Sequence, residues 1–318
     1  MRCATLAFLL TVCAGVSSAS GQDAALRYRW VKGDEIRYRI SQQSTTTMTG
    51  LPGLGEMTVE QALVQVVRMA VQDVGTDGSG TLRQTFESIH VEQSSPMGRT
   101  VFDSASTDRP ADPATATLAA VMSSMIGESV ILVIAPNGAT VKVEGMSAIF
   151  DKFMKALPPS PTTAMVVEQI KGSMSDATIR AMFEQGFGTF PDRPVKTGET
   201  WTSQFEMTNP LFGTLMAART YTLESLDSRD GASIARIAVR LVMTQTAPGT
   251  SAIPGLSARF DSSTSTGEIV FDTTRGRVQR TSFKGETPMT LSLPSPGADA
   301  SNAKGLVRTT LAMELVDK

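Results

Sequence analysis

Cysteine is almost missing from this 318-residue chain: it has two, Cys3 and Cys13. Both lie in an apolar leader, so the chain that remains after cleavage has no disulfide, no thiolate nucleophile and no cysteine metal site. Its single histidine, His90, excludes multi-histidine metal centres. No nucleophile or ligand is visible beside His90, which reads as structural. Aromatic residues are sparse, at 6%. Excess positive charge is lacking too, since 29 basic residues stand against 31 acidic ones, and a phosphate backbone needs a basic field. Nucleic acid is therefore not an expected partner. After the leader, no apolar run reaches the roughly 20 residues of a membrane-spanning helix.

Familiar catalytic phrases are lacking as well. Residues 145–149 have no second glycine to complete a Gly-x-Ser-x-Gly elbow, and no Gly-Lys-Ser/Thr phosphate loop occurs. Gly50, Gly53 and Gly55 are wrongly spaced for a dinucleotide fingerprint. Asp73, Asp77 and Gly78 do not complete a calcium loop, because Gly75 takes a ligand position and Gln84 stands where the bidentate Glu belongs. The expectation is no cofactor, no metal and no catalytic residue, and hence no enzyme. A hydrolase reading would use Asp261 and Asp272, near predicted strands, since such carboxylates come together from distant positions.

What is present begins with an export signal over 1–21. Arg2 precedes an apolar stretch, and Ser17, Ala19 and Gly21 supply small residues for cleavage. The product is expected to be periplasmic or secreted; a lipid anchor at Cys13 is the alternative. Without disulfides, the chain is still long enough to bury about three-quarters of its unfolded surface.

Most of the rest alternates with period two, the pattern of half-buried strands. In 26–40, Tyr28, Trp30, Ile36, Tyr38 and Ile40 take even positions and Arg27, Arg29, Arg37 and Arg39 odd ones. With Lys32-Gly33-Asp34 as a turn, this predicts a hairpin with four arginines on one side, a candidate contact for anionic surfaces. Residues 44–55, rich in Thr, Gly and Pro, are expected to be a loop. Strands are predicted over 60–74 and 82–92 around an Asp77-Gly78 turn, and over 130–135 and 140–143 around Asn137-Gly138. Later strands are expected over 216–226, 234–243, 268–272, 278–283, 289–293 and 306–316.

Helices interrupt this pattern. An Ala/Met helix is predicted over 114–126. Met146, Ile149, Phe150, Phe153, Met154 and Leu157 form an apolar stripe at helical spacing. Two more helices are expected over 162–171 and 176–185. Phe150, Phe153, Met154, Met182 and Phe183 serve either as core or as a lid over an apolar cavity.

The stretch 190–205 restarts the pattern of 26–40. Gly198-Glu199 answers Gly33-Asp34, and Asp230-Gly231 answers Asp77-Gly78. Phe260-Asp261-Ser262 answers Phe102-Asp103-Ser104, and Arg275-Gly276 answers Asn137-Gly138. The order predicts an internal duplication: a first β-rich unit over 22–145, a helical segment over 146–189 and a second β-rich unit over 190–318. Trp201, the counterpart of a residue near Ile36, reads as a core anchor. The phrase over 190–201 has the form Leu/Phe-Pro-x-x-Pro-Val-x-x-Gly-Asp/Glu-x-Trp. It resembles that of uncharacterised exported bacterial proteins with a domain of unknown function. That resemblance implies export and a β-rich fold and brings no catalytic residues.

The expected fold is α+β: antiparallel sheets from two related units with two or three packing helices. A curved sheet with helices across its concave face, similar to periplasmic lipoprotein carriers, suits the order. The expected function is binding or carrying an apolar or lipid-like ligand, and the alternative is an envelope scaffold that binds a protein partner.

Overall fold

A computed structural model describes residues 23–51, 53, 55–96, 98–107, 113–156, 180, 183, 187–209, 212–229, 231–249, 256–260, 262–293 and 301–316. The expected leader, and the helices expected over 162–171 and (Arg180 and Phe183 apart) 176–185, fall outside them.

The period-two alternation becomes long strands, and the glycine turns become their connections. In chain order the elements are β1 (Asp23–Ala24), β2 (Glu35–Thr49), β3 (Met57–Val74), β4 (Gly80–Ser95), β5 (Gly98–Asp103), α1 (Pro113–Ser123), β6 (Ser129–Ile134), β7 (Thr140–Glu144) and α2 (Met146–Ala156). There follow β8 (Val195–Lys196), β9 (Thr200–Asn209), β10 (Gly213–Arg229), β11 (Ala232–Ala247), β12 (Ser257–Arg259), β13 (Ser262–Asp272), β14 (Arg277–Leu293) and β15 (Ser301–Val316). Thirteen strands form one antiparallel sheet, in the order β7-β6-β4-β3-β2-β15-β14-β13-β11-β10-β9, with β5 beside β4 and β12 beside β14. The sheet is curled and not closed. β1 and β8 make a separate short pair.

Both expected units therefore share a single sheet, and β15 joins them by pairing β14 on one side and β2 on the other. Their strands run along the sheet in the same sense, β7-β6-β4-β3-β2 and then β14-β13-β11-β10-β9. The two Gly-acid turns are bonded alike. Gly33 donates to the Val71 carbonyl and Val71 to that of Asp34, at 3.0 and 2.9 Å; Gly198 donates to Leu223 and Leu223 to Glu199, at 2.7 and 3.0 Å. Both glycines have positive φ, +89° and +85°, a conformation that costs L side chains energy.

Three expectations change. Residues 26–31 do not pair with β2 as a hairpin; β2 pairs with β3 and β15 instead. Leu26, Tyr28 and Trp30 are buried while Arg27 and Arg29 are exposed, so the alternation is real, but the segment runs extended through the core. Its backbone bonds go to turns: Tyr28 N–H to the Pro136 carbonyl at 2.7 Å, and Arg29 N–H to that of Gly276 at 3.0 Å. Phe190 N–H likewise reaches the Asn137 carbonyl at 2.8 Å. The loop expected from 44 is strand as far as Thr49, because β-branched threonine suits a half-exposed strand. Finally, 289–293 is the end of β14, not a strand of its own. Pro288 is tolerated because β13 pairs with β14 only as far as Glu286 and β12 starts at Thr290, leaving β15 as its neighbour there.

The core lies on the inner face, at the end of the sheet where the two Gly-acid turns sit. Ile36, Tyr38, Val67, Met69, Leu82, Leu132, Leu223, Ile237, Ile269 and Phe271 point into it. Tyr28 stacks on Trp30 and on Phe190, both at 5.5 Å between centroids, and meets Phe271 edge-on at 5.2 Å. Its hydroxyl donates to the Phe187 carbonyl. Each such buried ring contributes about 1.5–3 kcal/mol, so scarce aromatics are concentrated where they stabilise most. Gly188 (φ +73°) passes so close that a Cβ there would lie 2.7 Å from Ile269 Cδ1.

A second, smaller cluster sits further along the same inner face. Ile89, Val91 and Phe102 are covered by Leu118, Ala119 and Met122 of α1, together with Met125 and Ile126.

Candidate functional site

Cross-strand register places Phe205 and Met207 of β9, Leu215 and Arg219 of β10, Leu241 and Met243 of β11, Ser265 of β13, Phe283, Gly285 and Thr287 of β14, and Thr309 and Leu311 of β15 on the inner face. Together they line a groove of about 280 Å³. The register puts Lys284 on the outer face, and it borders the groove next to Gly285.

Both ends of the groove are built. Toward the core, Trp201 stacks on Tyr221 at 5.4 Å, and its indole N–H donates to the Thr189 carbonyl at 2.9 Å. Trp201 is thus the core anchor that its position in the sequence implies. Toward the far end, Phe212 and Phe260 meet edge-on at 5.4 Å. The Gln245 amide ties them down, donating to the Phe212 and Ala258 carbonyls at 2.5 and 3.1 Å and accepting from Phe260 N–H at 3.1 Å. Gly267 and Gly285 let neighbouring side chains pack against their backbone. An added Cβ would strike the Phe283 ring at the first and Ser265 at the second. Glycine inside a strand marks a place where something else comes close to the backbone.

One cation lies in this apolar surface. Arg219 is 4% exposed, and its Cζ sits 4.8 Å from the centroid of the Phe205 ring, a cation–π arrangement. Sequence reasoning passed over both the groove and Arg219. A signal was there: Arg219 shares its parity with Leu215, Ala217, Tyr221 and Leu223, so it is an arginine on the apolar side of a strand.

The outer face is of another kind. A wider depression of about 730 Å³ is lined by Gln43, Thr45, Lys284, Glu286, Arg308 and neighbouring threonines, and Arg308 pairs with Glu286 at 2.8 Å. Among the described residues no cluster of three or more His, Cys, Asp and Glu side chains comes together.

The residues singled out in the sequence fall in several places. Of the apolar set, Phe183 packs against the main core, and Phe150 and Met154 are half-buried on α2. The Phe153 side chain and Met182 lie outside the described residues. None of the described three is among the residues lining the groove.

The arginines are dispersed. Arg27 reaches Asp192, donating to its carbonyl at 3.1 Å, and Arg29 reaches the Thr274 carbonyl at 3.3 Å. Arg37 pairs with Glu87 at 2.9 Å, which Arg68 shares at 3.0 Å. Arg39 is exposed on β2, opposite Glu314. Arg37 and Arg39 share the outer face of β2, while Arg27 and Arg29 edge the core segment, so the four do not form one patch.

Asp272 is fully buried and accepts the Arg275 N–H at 2.8 Å, which closes the β13–β14 turn. His90 Nδ1 lies 3.2 Å from Asp103 on the exposed side of β4. The Asp103 carboxyl is held below its usual range, chiefly by the Ala105 N–H and then by His90.

Among solved structures, the chain is similar to lipovitellin, in a structure of its lipid–protein interactions, at 10% identity and a TM-score of 0.44. That match covers 91% of this chain, which spans about a quarter (26%) of the lipovitellin chain. It is similar also to the COG4313 outer membrane channel of Pseudomonas putida F1, at 11% identity, 91% and 97% coverage and a TM-score of 0.25. Neither likeness bears on ligand or activity. No curated protein matches the chain. Residues 77–278, well over half of its length, match the model of the family of unknown function DUF6263, and the chain belongs to that family.

Proposed function

We propose that this is an exported, non-catalytic binding or carrier protein for an apolar, lipid-like molecule, held in the inner-face groove of β9–β15. The observation that carries the reading is the groove itself. It offers leucine, methionine and phenylalanine side chains and built ends, at the small end of the roughly 300–1,000 Å³ usual for ligand sites. An apolar surface left to water forfeits about 25 cal/mol per Å², which a lipid-like occupant recovers.

The test is a fluorescence titration of the mature chain with N-phenyl-1-naphthylamine. Saturable binding at one site per chain is expected. Leu241→Glu puts a charge into the groove wall and is expected to abolish binding while the unfolding midpoint moves little. Absence of binding, or equal binding by the variant, contradicts the reading.

A second reading, an envelope module that binds a protein, is favoured by one feature. β9 ends the sheet with a free side among the described residues, and a free strand edge can accept a strand from another chain.

A further inference from the structure

We infer that Met48, Met57 and Met289 form a thioether site for a soft monovalent cation, copper(I), on the inner face of the sheet. The site lies beyond the apolar groove and does not depend on what the groove holds.

Strand register brings the three together. Met289 of β14 lies opposite Gly305 of β15, Gly305 opposite Met48 of β2, and Met48 opposite Met57 of β3. Directly opposed residues share a face, so one cross-strand row reads methionine, glycine, methionine, methionine. Facing side chains in such a pair start about 5 Å apart, which leaves the flexible Met48 and Met57 thioethers within reach of each other. Gly305 opens the third approach. An added Cβ there would lie 3.0 Å from Met289 Cγ and Cε and 3.6 Å from its Sδ. The Met289 sulfur therefore lies over the strand that separates it from Met48.

Core packing does not account for this row. Met69 and Met313 are buried in the main core, and Met122 and Met125 cover the smaller cluster. Met48, Met57 and Met289 are half-buried and, among the described residues, belong to neither cluster, so an ion from solvent can reach them. On the same face the next row is Thr287, Val307, Thr46 and Val59, and Leu291 and Ala303 follow on the other side. These neighbours bring no competing charge. Thioether sulfur selects copper(I), whereas magnesium, calcium and manganese want oxygen and zinc wants imidazole or thiolate. Outside the leader the chain has no cysteine, and its single histidine sits apart on the exposed side of β4.

Titration calorimetry of the mature chain with silver(I) nitrate in chloride-free buffer tests the site, silver(I) standing in for copper(I) because it resists oxidation. Competition with bicinchoninate under nitrogen then measures copper(I) itself. One ion per chain is expected, and no heat from zinc(II). Met48→Leu, Met57→Leu and Met289→Leu keep the side-chain volume, and each should weaken binding at least roughly tenfold by removing one soft ligand. Met243→Leu, in the groove, should leave binding unchanged. X-ray absorption at the copper edge of the unchanged protein needs no variant that folds, and should show a shell dominated by sulfur. No uptake of silver(I), equal loss in Met243→Leu, uptake that the three row variants leave unchanged, or a copper shell of nitrogen and oxygen donors would each overturn the inference.

Discussion

On β4 and β5, the inner face beyond the aromatic core is roofed: α1 lays Leu118, Ala119 and Met122 over Ile89, Val91 and Phe102. On β9 to β15, a comparable stretch of the same face carries Phe205, Met207, Leu215, Leu241 and Leu311 around an open groove. The residue types are alike on both sides, and burial differs. Ile89 and Val91 are fully buried, while Leu241, Met243 and Leu311 are only half so. Among the described residues, a helix of the chain covers one half of the face and none covers the other. Alternation alone does not distinguish a core from a binding site; what separates them is whether another element of the chain lies on top.

Substitutions can sharpen that contrast. The largest loss is expected in the aromatic core that both halves share. Tyr28→Ala removes a buried ring stacked on Trp30 and Phe190 and should cost about 3–5 kcal/mol in urea unfolding. On the roofed half, Ile89→Ala should cost about 2–4 kcal/mol, because α1 cannot settle fully into the space. On the open half, Leu241→Ala should cost less than about 1 kcal/mol, since water already reaches its side chain. Equal losses at Ile89 and Leu241 would mean that the groove is ordinary core and would break the comparison.

The smallest effect concerns the Gly-acid turn that opens β9. The Arg193 guanidinium, at 2.5 Å, and then the Lys196 N–H hold the Glu199 carboxyl below its usual range. A depressed carboxyl stabilises the fold above its unfolded value, about 4.3, and that share is lost as pH falls through the folded value. Melting temperature followed from pH 7 downward should therefore fall less steeply below about pH 4.3 in Glu199→Gln than in the unchanged chain. Parallel curves would remove this bond from the account.

Much of the sheet was legible because its signals are local. Asp77-Gly78, Asn137-Gly138 and Arg275-Gly276 mark connections where the chain reverses, and the runs between them alternate. Gly33 and Gly198, paired in that reading, make matched backbone bonds. Residues 26–31 misled because an extended segment threaded through a core alternates just as a hairpin strand does. Residues 44–49 misled because threonine serves both loops and half-exposed strands. The groove stayed hidden for a different reason. It depends on which strands lie side by side across the sheet and on what covers them, and neither is written in a local pattern. Arg219 alone stood out of phase with its neighbours, so it could have been found.

Native mass spectrometry of the mature chain, purified without detergent from the cell that makes it, tests the central claim most directly. The account predicts a species heavier than the bare chain by one small amphiphile, and loss of that extra mass in Leu241→Glu with the fold retained. A chain that flies at its bare mass, and takes up neither decanoate nor 1-decanol when they are added, would contradict it.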